Sequence, residues 1–137
     1  MQRTLALIKP DAQAAGHQGA IIARIQESGL RVLALKTLHL TTEQAQGFYY
    51  VHKERPFFGD LVKFMTEGKI VAMVLEGDDA IKRWRDLMGP TDATKAEKGT
   101  IRGDFGTSIE RNASHGSDAE ETAAFETAYF FAGLELA

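Results

Sequence analysis

Ile70-Val71-Ala72-Met73-Val74-Leu75 is the longest unbroken apolar run in the chain. Crossing a bilayer takes about twenty such residues. A run this short instead fits a strand buried on both faces at the centre of a sheet. The remaining chain then has to supply layers for two sides of that strand. With 137 residues it has enough material for one domain, spanning 1–137. Hydrophobic residues at 44% and charged residues at 26% exclude a disordered or fibrous chain. Sixteen Lys and Arg face nineteen Asp and Glu, a net charge of −3, so a protein spread along nucleic acid is disfavoured.

Strand-like runs alternate with helical patterns on either side of that centre. Thr4 to Ile8 reads as a first buried strand, ended by Lys9-Pro10-Asp11 because proline donates no hydrogen bond. A glycine-containing loop is expected through Gly16 and Gly19. Ile21, Ile22 and Ile25 then mark a helix closed by Gly29, and Leu30 to Leu40 reads as a second strand. Thr41 with Gln44 forms a capping-box signature for a helix to about His52. After Arg55-Pro56 a short helix is expected from Phe57 to Thr66. Another helix starts at Asp78 or Asp79 and runs through Met88. Gly89-Pro90 opens a long polar stretch to about Ser108, and a loop of that length in a compact domain is usually functional. A strand over Ile109 to His115 and a helix from Ser117 to Phe131 complete the order. The pattern fits an α+β fold: a ferredoxin-like βαββαβ sandwich, with helices packed on a four-stranded antiparallel sheet and a helical pair inserted.

Cysteine is absent, which removes disulfides, thiolate nucleophiles, iron–sulfur clusters and Cys-bound zinc. Met1-Gln2-Arg3 shows no secretory pattern, so a cytoplasmic setting is expected. In that setting Arg102-Gly103-Asp104 and the sequon Asn112-Ala113-Ser114 carry no extracellular meaning.

Four residues break the local pattern. Glu126 falls in the middle of the last helix's apolar face, with Ala119, Thr122, Ala123, Tyr129 and Phe130, and a carboxylate there needs a partner. Arg85 lies on the edge of the face defined by Ile81, Trp84 and Met88. His115 stands between a strand end and a helix start, in Asn112-Ala113-Ser114-His115-Gly116-Ser117-Asp118. Its neighbouring glycine permits close backbone approach, and a helix N-terminus favours anions. Lys9 ends a buried strand. Each has a bland alternative: a buried ion pair, a snorkelling arginine, a structural histidine, a solvated strand end. No P-loop is present, because Gly68-Lys69 is followed by isoleucine, and Gly99, Gly103 and Gly106 lack dinucleotide-fingerprint spacing. His17, His39 and His52 show no metal-ligand spacing with His115.

Taken together, TLALIKPDA, ERPFFGDLVKFMTEG, GTIRGDF and NASHGSDA resemble the nucleoside diphosphate kinases, from about Arg3 to Phe131. The resemblance implies the ferredoxin-like fold and a ping-pong reaction. His115 would take the γ-phosphoryl group of a nucleoside triphosphate and pass it to a nucleoside diphosphate. Glu126 would orient the imidazole with support from Ser117, and Tyr49 would pack beneath the site. Lys9 and Asn112 would bind ribose hydroxyls and phosphate, while Arg85, Thr91 and Arg102 would hold the terminal phosphates. Phe57 would stack on the base beside Leu61. Mg²⁺ would arrive with the nucleotide, and Asp118 would help to place it through water. The short chain resembles bacterial-type members, homo-oligomers that form tetramers or dimers from a common dimer. Neither a membrane nor a specific nucleic acid is an expected partner.

Physical chemistry favours this assignment. Exchange between two nucleotides is nearly thermoneutral, so its covalent intermediate must be high in energy, as a phosphohistidine is. Neutral imidazole is a nucleophile near pH 7, and cationic side chains stabilise phosphoryl transfer without a P-loop. Stacking on Phe57 would tolerate many bases. Setting Lys9, Arg85 and Arg102 aside leaves thirteen basic against nineteen acidic residues, a cationic pocket in an acidic body. Two departures stand out: the family's usual Thr-Asn-Pro reads Thr91-Asp92-Ala93 here, and Lys98 replaces a proline. Losing two fixed φ angles is expected to loosen this loop and affect assembly. A non-catalytic nucleotide-binding module on the same fold stays open as an alternative, with an RNA binder a distant third.

Overall fold

The computed structural model describes residues Met1–Ala137. The apolar run lies within β3 (Ile70–Gly77), at the centre of the structure. It pairs antiparallel with β1 (Gln2–Ile8) on one side and with β2 (Arg31–Leu38) on the other. A short β4 (Ser114–Gly116) adds antiparallel to the outer edge of β1, giving the order β2-β3-β1-β4. Because β1 and β2 both oppose β3, they run parallel to each other with β3 between them. That is the ferredoxin-like arrangement.

The two-residue period of the strands splits the core into two halves. Leu5, Leu7, Ile70, Ala72 and Val74 face one side. There they meet α3 (Thr42–Phe48), α4 (Phe58–Met65) and α7 (Glu120–Phe130) through Phe48, Phe64, Met65 and Phe130. Ala6, Ile8, Val71, Met73 and Leu75 face the other side. Helices α2 (Gln18–Glu27), α5 (Ala80–Met88) and α6 (Ile101–Phe105) cover it with Ile21, Ile25, Trp84, Met88 and Ile101. Helices α3 and α4 are the inserted pair, between β2 and β3. Thr41 caps α3 as its signature predicts: its hydroxyl accepts from the Gln44 amide, and Gln44 returns the bond.

Several boundaries differ from expectation. Pro10 ends β1 but also opens α1 (Pro10–Ala14), because proline suits the first helical position, where no N–H is needed. Helix α3 stops at Phe48, and a separate 3₁₀ turn covers Tyr50–His52. The second strand ends at Leu38, not Leu40. The polar stretch after Gly89 holds a 3₁₀ turn (Ala93–Lys95) and α6, which Thr100 caps by accepting from the Gly103 amide. The expected strand from Ile109 shrinks to Ser114–Gly116, since Thr107 N–H donates to the Arg111 carbonyl and closes a local turn instead. Tyr129, expected on the buried face of α7, is partly exposed and donates its hydroxyl to the Gln44 carbonyl.

Candidate active site

Strand β4 sets His115 directly opposite Leu7, whose side chain belongs to the α3–α4–α7 half of the core. The imidazole therefore turns toward α7. Its Nε2 lies 2.9 Å from Oε1 of Glu126, the carboxylate that interrupts the apolar face of that helix. The Ser117 hydroxyl donates to the same oxygen at 2.8 Å and accepts from the Leu5 amide at 3.2 Å. An ionised carboxylate only accepts, so the network assigns the imidazole proton to Nε2 and leaves the lone pair on Nδ1. Edges of Phe48 and Tyr49 flank the ring at centroid distances of 5.4 and 6.3 Å. The Tyr49 phenol is buried without a partner. Burial first, and the charge of Glu126 second, hold its ionisation well above the usual tyrosine range, so it stays neutral. His115 keeps 19% of its side chain exposed and Glu126 14%: a shielded pair that solvent still reaches.

The backbone beneath the ring is fixed from both sides. Trp84 Nε1 donates to the His115 carbonyl at 3.0 Å. A Cβ at Gly116 would sit 2.6 Å from Trp84 Cδ1, so the close approach requires glycine. Upstream, the Ser114 amide donates to the Asn112 carbonyl at 2.9 Å across Ala113, whose φ is 73°. This three-residue turn is strained for an alanine. The Ala113 amide donates to Asp11 Oδ2 at 3.1 Å, and its carbonyl accepts from the Lys9 amide at 2.8 Å. Helix α1 thus clamps the turn that delivers His115.

The cations gather beside this turn. Lys9 Nζ, almost fully buried, donates to Asn112 Oδ1 at 2.8 Å. Burial first, and the charge of Arg102 second, pull the Lys9 ammonium down to about 8. Asn112 Nδ2 donates to the Thr91 carbonyl at 2.9 Å, so it is the backbone of Thr91 that is held, while its side chain is exposed. Arg102 is buried and bridges the Gly89 and Ser114 carbonyls, each at 3.0 Å, with its Nε left unpaired. Burial first, and Arg85 second, lower Arg102 to about 10, so it stays charged at neutral pH. Arg85 is more open than its helix face suggests and pairs with Asp118 at 2.7 Å. Phe57 is exposed just before α4, with Leu61 one turn on and half-buried.

Two groups are thus assembled. His115, Glu126, Ser117 and Tyr49 form one; Lys9, Asn112, Arg102, Thr91 and Arg85 form the other, with Asp118 paired to Arg85, while Phe57 and Leu61 stand on the first turn of α4. Sequence reasoning missed Asp11, Phe48 and the indole of Trp84. Asp11 follows a strand-ending proline, a position that reads equally well as an ordinary first-turn acid. No His, Asp or Glu side chains cluster in threes as metal ligands.

A ferredoxin-like sheet that carries a carboxylate-held imidazole and, next to its turn, two buried cations suits a phosphotransferase. Comparison with known proteins agrees. The nucleoside diphosphate kinase family profile matches residues 2–136. The nucleoside diphosphate kinases of Syntrophotalea carbinolica and Oleidesulfovibrio alaskensis are 63% and 58% identical to this chain. The first alignment covers 99% of both chains; the second covers 98% of this one and 97% of the other. The crystal structure of the Aquifex aeolicus nucleoside diphosphate kinase superposes with a TM-score of 0.97 at 49% identity, covering 99% of each chain. That of the halophilic enzyme from Halobacterium salinarum, in complex with CDP, gives 0.95 at 42% identity, covering 99% of this chain and 91% of that one. The chain belongs to the nucleoside diphosphate kinase family. Its reaction is the ping-pong transfer of a γ-phosphoryl group from a nucleoside triphosphate to a nucleoside diphosphate through a phosphohistidine.

Proposed function

We propose that His115 is the histidine that carries the phosphoryl group, with Nδ1 as the attacking atom. The observation that carries this is the 2.9 Å contact of Nε2 with Glu126, which commits the ring proton to the far nitrogen. In the first half-reaction the Nδ1 lone pair attacks the γ-phosphorus, the bond to the bridging oxygen breaks, and the nucleoside diphosphate leaves with that oxygen. As Nδ1 becomes bonded to phosphorus, the ring gains positive character, and Glu126 balances it across Nε2–H. The second half-reaction reverses these steps on a new diphosphate. Ser117 fixes the carboxylate, and Tyr49, neutral and buried, packs against one side of the ring.

Lys9, Arg85, Arg102 and Asn112 are the residues we assign to the phosphates and ribose. Lys9 keeps two N–H donors beyond its bond to Asn112. Arg102 serves first as a strut between two backbone segments, and its charge then acts across a short gap. Arg85 has to leave Asp118 to meet a phosphate. Thr91 lines the same wall, and Phe57 with Leu61 offers an apolar floor for a base. The Mg²⁺ is best treated as part of the substrate, bound to the nucleotide's own phosphates, because no three-ligand cluster exists to hold it. Asp118 is the carboxylate we assign to its water shell, once Arg85 has turned to a phosphate.

The same reading treats residues 1–137 as one kinase domain, working in the cytoplasm on nucleoside di- and triphosphates. It makes the protein a homo-oligomer, a dimer or a tetramer. No helix is long and apolar enough to cross a membrane.

The test is label transfer. Wild-type protein mixed with Mg-ATP labelled in the γ-phosphate should gain acid-labile, base-stable phosphate and release it to added nucleoside diphosphate. His115→Ala should take up none. Label on the variant equal to the wild type would sink the assignment.

A further inference from the structure

Phe57, the ring assigned to the base, stands on a poorly supported segment. Lys53 through Phe57 are all exposed, and Phe57 itself is 48% exposed. Its one aromatic neighbour is His52, at a centroid distance of 5.5 Å and an interplanar angle of 54°. His52 in turn lies over Tyr49 at 6.5 Å, nearly parallel at 29°. The two rings that bracket it therefore belong to the two ends of the site. Tyr49 sets its edge against His115, and Phe57 faces the solvent where a base would rest. The neighbouring residue ties the same 3₁₀ turn to α7: Tyr50 meets Phe125 edge-on at 5.5 Å, next to Glu126 in sequence.

The imidazole of His52 makes no hydrogen bond, and its role here is a matter of shape. From this geometry we infer that His52 is a positioning residue for nucleobase binding: it wedges between Tyr49 and Phe57 and holds the Phe57 ring at a fixed distance from His115. The wedge rests on the assignment of Phe57 as the base platform. Without it, Phe57 would swing with the exposed segment, and a bound base would lose a preset surface. The phosphates, held by Lys9, Arg85 and Arg102, would be indifferent to it. His52 thus bears on the base half of the ligand alone.

The experiment measures binding of ADP, CDP and pyrophosphate to wild type, His52→Ala, His52→Phe and Phe57→Ala. For His52→Ala we expect the dissociation constants of ADP and CDP to rise about two- to tenfold, the range an aromatic pair supports. Pyrophosphate should be unchanged. His52→Phe should restore ADP and CDP to within about twofold, since a flat ring is all the wedge requires. Adding His52→Ala to Phe57→Ala should cost nothing more, because the ring it positions is already gone.

If Phe57→Ala binds ADP like the wild type, the platform assignment fails and the wedge fails with it. If Phe57→Ala weakens ADP while His52→Ala does not, only the wedge fails. Three further results would each overturn it: equal weakening of pyrophosphate, no rescue by phenylalanine, or additive losses in the double variant. The last two would mean that the imidazole meets the base itself.

Discussion

The two halves of the active site are built on opposite terms. Around His115 the polar groups are matched in a chain, Nε2 to Glu126, Glu126 to Ser117, Ser117 to the Leu5 amide, with the buried Tyr49 hydroxyl left over. Around Lys9 the balance is left open. Lys9 and Arg102 are buried cations whose charged forms are disfavoured, first by burial and then by a neighbouring cation. Arg85 borrows Asp118 as a stand-in anion. The first half is nearly matched within itself; the second keeps cationic charge that, on the proposed function, a phosphate would complete. The difference follows from the chemistry: a nucleophile needs one fixed orientation, whereas charge stabilisation works best when it is in place before the anion binds.

The sharpest way to break this comparison is at Arg102, which belongs to both terms. Arg102→Met removes charge and also strands the Gly89 and Ser114 carbonyls, at about 1–3 kcal/mol for each buried group left unpaired. We expect kcat/KM to fall by about two to three orders of magnitude, allowing about 3–4 kcal/mol for lost transition-state charge stabilisation. A clear drop in Tm should accompany it. Arg85→Met is the contrast. Its pair with Asp118 is exposed and worth about 0–1 kcal/mol, so catalysis should suffer while Tm hardly moves. If both variants keep wild-type Tm, Arg102 is not the strut its bonds describe.

A smaller effect is expected on the matched half. Glu126→Gln keeps the shape but removes the charge proposed to balance a phosphorylated His115, and an amide can present either end to Nε2. Single-turnover phosphorylation of His115 should slow by about ten- to a hundredfold, taking the orienting partners of metal-bound histidines as the guide. Thermal stability should stay close to wild type, because Ser117 can still donate to the amide oxygen. An unchanged phosphorylation rate would show that the imidazole needs no such partner.

How far each half was legible in the sequence follows the same division. Glu126 stood out because a carboxylate on an apolar helix face needs a partner, and His115 because a glycine and a helix start follow it. Each read equally well as structural until NASHGSDA and the other strings gave the family resemblance. The sheet was legible from Ile70–Leu75 for the same reason, since six apolar residues cannot face water on either side. Arg102's two hydrogen bonds to carbonyls left no trace, because backbone partners have no sequence identity. Ala113's left-handed φ was hidden by a residue that carries no turn signal, and only the amide of Asp11's partner reveals the clamp. Helix α6 spans five residues, too few to show a period, and its cap Thr100 sits in a polar stretch. The short β4 was overestimated because Ile109 has strand character, yet it points into solvent.

Lys9 offers the mildest test, and it reads stability without substrate. Its ammonium titrates at about 8 in the folded chain, against 10.5 when free. Below pH 8 both states are protonated and the fold bears the full cost of the buried charge, roughly 3 kcal/mol at about 1.4 kcal/mol per pH unit. Between pH 8 and 10.5 the folded state releases the proton while the unfolded state keeps it, so this contribution raises stability with pH. Above 10.5 both are neutral and the cost is gone. Lys9→Met removes the charge in both states but leaves Asn112 Oδ1 without its donor, a loss of about 1 kcal/mol. The variant should therefore be about 2 kcal/mol more stable than wild type at pH 7, while binding nucleotide worse. The gap, read from urea midpoints, should close as pH rises above 8 and reverse by about 1 kcal/mol once pH passes 10.5. Parallel curves for the two proteins across that window would mean that Lys9 rests at ease in its site, and that the open half is less strained than its burial implies.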